Sequence, residues 1–77
     1  MSKTLDAYRG ALREVLAMGM SPLARTDALE RLSANARIAT YKGLYDRHGF
    51  ETVYRHIMTV AAILDRVEAQ VLAEAQA

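Results

Sequence analysis

The residues best suited to chemistry are two histidines, His48 and His56, which stand eight positions apart. Asp46 and Glu51 are the nearest acids, and imidazole and carboxylate groups are both zinc ligands. However, the two histidines lack the HxxxH spacing that places a ligand pair on one helix face. The chain has no cysteine, its four glycines are isolated, and no serine lies in a glycine-flanked elbow. The sequence therefore predicts no enzyme activity and no metal or cofactor site.

Hydroxyl and guanidinium groups form a second candidate set in the last third of the chain. Four of them recur at helical spacing: Thr52, Arg55, Thr59 and Arg66. In a helix they would share one stripe, and side chains of these types contact phosphates and base edges. This set is the candidate nucleic-acid surface.

The surrounding segment, HGFETVYRHI, resembles the recognition-helix part of a helix-turn-helix. The resemblance implies a degenerate helix-turn-helix over residues 38–66, and hence a DNA-binding transcriptional regulator. Two positions depart from the motif. Gly49 precedes Thr52 by three positions instead of about five, and Tyr45 stands where a small residue is expected.

The charge balance decides the order of the hypotheses. Ten Lys and Arg residues face nine Asp and Glu residues, which gives a net charge of +1 at pH 7. DNA-binding domains usually carry a clear basic excess. Nucleic-acid binding is therefore the alternative hypothesis, and binding to another protein is the leading one.

Aromatic residues gather in the same region. Four of the chain's five lie between positions 41 and 54. They could pack the corner between two helices, and they could also form an interaction surface, since Tyr and Arg are enriched at protein interfaces. The two interpretations are compatible. The predicted partner-binding residues are Tyr41, Tyr45, His48, Tyr54 and Arg55.

Helices must position these residues, because helix-forming residues dominate the composition and no stretch alternates apolar and polar residues over strand length. Gly19 stands where a left-handed helix C-cap belongs, and Ser21 before Pro22 is a helix start signal. Gly49, after Arg47 and His48, marks another helix end. We expect a break or bend near residues 33–36, where Ser33 and Asn35 compete with the helix for backbone hydrogen bonds. The predicted helices are about 4–18, 22–34, 36–48 and 51–75.

The last helix carries an unbroken heptad seam, with apolar residues at alternating steps of three and four from Phe50 to Val71. A helix of about 25 residues is about 37 Å long, whereas a compact chain of this length is only about 30 Å across. A second copy would cover the surplus. The predicted dimer interface is Val53, Ile57, Val60, Ala61, Leu64, Val67 and Val71.

The charges along this helix favour an antiparallel pair. Crossing near residues 60–62 would bring Arg55 of one copy close to Asp65 of the other, whereas a parallel pair would stack like charges. The two alanines at the crossing would permit close approach.

Together these features predict an all-α fold, a single domain over residues 1–77. It would be a small bundle of three to four helices with a long C-terminal heptad helix, completed by homodimerisation. The sequence shows no signal peptide and no membrane span, and the lack of cysteine fits a cytoplasmic protein. The leading functional hypothesis is a small regulator that binds another protein. It would act as an adaptor, or as an inhibitor or anti-activator of a transcription factor or other target.

Overall fold

A computed structural model describes residues 3–76. Over this range the chain forms three α-helices: α1 (Lys3–Ala17), α2 (Pro22–His48) and α3 (Phe50–Gln76). The predicted all-α class and helical bundle are confirmed for the described residues. None of these helices combines the length and apolar content that crossing a membrane requires.

The connection between α1 and α2 follows the capping signals in the sequence. Gly19 adopts a left-handed conformation with φ of 69°, which a residue without a Cβ reaches at little cost. The Ser21 hydroxyl then accepts a hydrogen bond from the Ala24 backbone N–H at 3.3 Å. With Pro22 in the first turn, where no N–H is needed, α2 starts where the sequence predicts.

Helix α2 is continuous from Pro22 to His48, so the predicted division into two helices, 22–34 and 36–48, is wrong. Ala36, inside the expected break, is only 7% exposed and belongs to the hydrophobic core. Tertiary packing of this part of the helix outweighs the local preference of Ser33 and Asn35 for other backbone conformations.

A single residue, Gly49, joins α2 to α3. It has φ of 85°, and its N–H donates to the Tyr45 carbonyl at 2.9 Å, closing the end of α2. The predicted helix end at this glycine is confirmed. Helix α3 folds back along α2, because Tyr41 of α2 reaches Ile57 of α3 and Arg37 reaches Asp65. The two helices therefore form an antiparallel hairpin.

Helix α1 packs against this hairpin and runs parallel to α3. Tyr8 bonds to Glu68, and Arg13 pairs with Glu74 at 3.2 Å. Later residues of α1 therefore contact later residues of α3, as in two parallel helices. The core lies where the three helices meet. Its buried residues are Tyr8, Leu12, Ala36, Val60, Leu64, Val67 and Val71.

Candidate functional site

One end of the α2–α3 hairpin extends past α1. Because Tyr8 lies level with Glu68, the start of α1 at Lys3 lies level with about residue 62 of α3. The first dozen residues of α3 therefore run about 18 Å beyond it. All four buried residues of α3 fall at Val60 or later, which agrees with this arrangement.

Apolar side chains cover the side of this projecting hairpin that faces away from α1. On α2 they recur at steps of three and four, and on α3 the second and third follow the first by three and four positions, so each set occupies one face of its helix. The Tyr41 hydroxyl donates to the Ile57 carbonyl at 3.4 Å and links the two sets. We call this surface the back face, and its residues are Ile38, Tyr41, Tyr45, Tyr54, Ile57 and Met58.

The back face is open to solvent over most of its area. Met58 is 80% exposed, Tyr54 is 70% exposed and Ile38 is 65% exposed. Phe50 lies at the tip of the hairpin beside this face, and its ring centroid is 6.2 Å from that of Tyr54. An apolar surface of this extent on a small chain is typical of a protein-interaction site.

The structure divides the five predicted partner-binding residues. Tyr41, Tyr45 and Tyr54 lie together on the back face, with Tyr41 half-buried between the helices. His48 lies on the other side of the hairpin, where it lines a shallow groove. Arg55 is exposed and lies 4.0 Å from Glu51 of the same helix. These five residues therefore do not form one surface.

The predicted dimer interface is placed mainly inside the single chain. Four of its seven members are buried in the core formed with α1 and α2: Val60, Leu64, Val67 and Val71. Val53 and Ala61 are half-buried, and Ile57 is 39% exposed. The second half of the heptad seam packs against α1 and α2 of the same chain. Sequence periodicity alone does not distinguish an internal partner from a second copy.

Asp65, which was expected to pair with Arg55 of a second copy, has a partner within its own chain. Asp65 accepts a hydrogen bond from the Arg37 guanidinium at 2.7 Å. This contact raises the pKa of Arg37. On α3, Arg55 and Asp65 are ten positions apart, which places them about 80° apart around the helix.

Two of the candidate nucleic-acid residues, Thr52 and Thr59, line a shallow groove together with His48 and His56. Thr52, Arg55, Thr59 and Arg66 are exposed or half-exposed. Two of them have local partners: the Thr52 hydroxyl donates to the His48 carbonyl at 3.3 Å, and Arg55 is near Glu51. The helices around them form an antiparallel hairpin joined by one residue, whereas a helix-turn-helix joins helices at about 90–120° through three or four residues.

The two histidines line the same groove. It lies on the α1 side of the projecting hairpin, between His48 at the end of α2 and His56 on α3. Within residues 3–76, no group of three or more His, Cys, Asp or Glu side chains is arranged to hold a metal ion.

A polar cluster joins the three helices beside the core, and the sequence patterns did not indicate it. The Tyr8 hydroxyl donates to the Glu68 carboxylate, and Tyr8 is only 4% exposed. Burial, and then the bond to Glu68, raise the pKa of Tyr8 above its usual range. Arg37 lies near the same cluster, through its bond to Asp65. The sequence feature that could have indicated this cluster is Tyr8, a residue with a polar hydroxyl within the apolar stripe of α1.

Comparisons of the chain with protein families, with curated proteins and with solved structures give no match.

Proposed function

We propose that the chain is a small regulatory protein that acts by protein–protein contact as a helical homodimer. The back face would be the surface that one copy presents to the other. The single observation that supports this most is the amount of surface that the chain leaves exposed.

The exposed surface exceeds what a monomer of this size needs. The chain has 5588 Å² of accessible surface and a mass of 8.5 kDa. A typical folded monomer of that mass exposes about 4,650 Å². The surplus of about 900 Å² is close to the roughly 800 Å² that each partner buries at an interface of standard size.

The shape of the chain points in the same direction. Its dimensions are 40 × 21 × 19 Å and its radius of gyration is 13.5 Å. A compact domain of this length has a radius of gyration of about 11.5 Å. The elongation comes from the projecting hairpin, which is also where the apolar back face lies. A partner that covers this end would therefore bury the least favourable part of the surface.

Regulation of a target would use the surfaces that such a dimer leaves open. Arg55 and His48 lie outside the back face, and Phe50 lies at the hairpin tip. An aromatic and basic tip is suited to contacting a second protein, in the manner of an adaptor or of an inhibitor that occludes its target. Binding to DNA has less geometric support, because the hairpin departs from helix-turn-helix geometry.

A matched pair of methionine variants tests this proposal. Met58 is 80% exposed on the back face, and Met18 is 65% exposed in the α1–α2 connection. We expect Met58→Arg to shift the chain from dimer to monomer in light scattering after size exclusion, because it places a charge in the contact. Met18→Arg should leave the dimer intact. If both variants keep the mass of the wild type, the back face does not hold the dimer together.

A further inference from the structure

The back face could meet a second copy of itself in two orientations. In two stacked copies related by a two-fold axis, that axis lies in the plane of the contact. If the axis runs along the helices, the two hairpin tips point the same way. If it runs across the helices, the copies are antiparallel, and each helix faces its own counterpart.

Charge separates these two orientations. The half of this side away from the tip carries two short ion pairs, Arg37 with Asp65 at 2.7 Å and Arg31 with Asp27 at 3.0 Å. Nearer the tip, Arg55 and Glu51 of α3 lie 4.0 Å apart. In a parallel arrangement the two hairpins overlap along their full length, so the charged half of one copy faces the charged half of the other. An antiparallel arrangement centred on the apolar half overlaps only the two projecting ends, so both short ion pairs stay at the edge of the contact or outside it.

Side-chain size favours the same orientation. With the axis level with Ile57 and Met58, residues equally distant from it on the two copies face each other. Tyr54, three to four positions before this level, would then meet the partner's Ala61, which is three to four positions after it. A large side chain is thus opposed by a small one, as close packing of two helices requires.

We infer that two copies pack back face to back face in an antiparallel four-helix contact, with α3 lying on α3 and α2 lying on α2 across a two-fold axis level with Ile57 and Met58. The inference rests on the proposed homodimer and specifies its geometry. It also moves the crossing point from residues 60–62 toward the hairpin tip. The α1 helices then lie on the two outer sides of the dimer, and both tips remain accessible.

Single cysteines test this arrangement directly, because the natural chain contains none. We expect Met58→Cys to be joined to its own counterpart by a short bis-maleimide reagent, giving mainly dimers on a denaturing gel. Met18→Cys is exposed at a site far from the axis and should give only background cross-linking. In a parallel dimer Met58 would face α2 of the partner, so it would not be joined to its counterpart.

The mass of the wild type in solution separates the two ways of failing. A dimeric wild type with Met58→Cys at the level of Met18→Cys would overturn the antiparallel back-face contact and leave the homodimer standing. A wild type that is monomeric at tens of micromolar would overturn both. The inference is supported if the wild type is dimeric and Met58→Cys is cross-linked strongly and selectively. The Met58→Cys variant must itself be shown to be dimeric before the reaction.

Discussion

Replacing Tyr8 with phenylalanine removes one buried hydroxyl and leaves the ring in the core. The hydroxyl donates to Glu68, and a hydrogen bond to a charged group stabilises a fold by about 1.5–3 kcal/mol. Glu68 is only half-buried, so its carboxylate regains water when the donor is lost. We therefore expect a decrease of about 1–2 kcal/mol in the free energy of unfolding at pH 7, measured by urea titration with circular dichroism.

The same variant should change the response to alkaline pH. In the unfolded chain Tyr8 titrates near pH 10, whereas in the folded chain burial raises its pKa. Above pH 10 the unfolded state therefore loses a proton that the folded state keeps. The contribution to stability is complete below about pH 10 and decreases as pH rises, by at most about 1.4 kcal/mol for each pH unit. Tyr8→Phe should remove this part of the slope.

Tyr54→Phe is the matched control, because Tyr54 is 70% exposed. Both the stability at pH 7 and the alkaline slope should stay close to those of the wild type, within about 0.5 kcal/mol. All three proteins are compared at one concentration, and light scattering first establishes that they have the same mass, because Tyr54 lies on the back face. If Tyr8→Phe keeps the full alkaline slope of the wild type, the buried Tyr8 hydroxyl is not the source of that slope.

Three further predictions concern the fold. Leu64→Ala, at a position 1% exposed, should lower the free energy of unfolding by about 2–5 kcal/mol in a urea titration. Ile63→Ala, at 40% exposure, should lower it by only about 1 kcal/mol, and equal losses would contradict the assignment of the core. Gly49→Ala should destabilise the fold by about 1–3 kcal/mol, because Gly49 has a positive φ. Gly10→Ala, inside α1 with open space around it, should stabilise the fold by up to about 1 kcal/mol. Thermal unfolding midpoints that move in the same direction for both variants would contradict this. Ser21→Ala should cost about 0.5–2 kcal/mol through loss of the helix N-cap, and an unchanged midpoint would show that the cap has no net effect.

The helical class and most helix ends could be predicted because they depend on local chemistry. Ser21 with Pro22 and the two capping glycines act within a few residues, and the structure places helix ends at each of them. The continuity of α2 could not be predicted in this way. Ser33 and Asn35 weaken a helix locally, but Ala36 is held by side chains of other helices that sequence spacing does not reveal.

The interaction surface shows a related limit. The heptad pattern of α3 correctly identifies side chains that need apolar neighbours, but it does not say which chain provides them. The structure supplies α1 and α2 for Val60, Leu64, Val67 and Val71. What remains exposed is the less regular set on the back face, which becomes one surface only when α2 folds against α3. That long-range pairing brings Tyr41 to Ile57, sixteen positions away, and the sequence gives no local signal for it.

Sedimentation equilibrium of the unmodified chain over a range of concentrations measures whether the chain forms a homodimer. A homodimer predicts a mass of about 17 kDa, twice the chain's 8.5 kDa, at tens of micromolar protein. A mass of 8.5 kDa across that range would contradict the claim, because the surplus apolar surface of the hairpin would then be stable in water without a second copy.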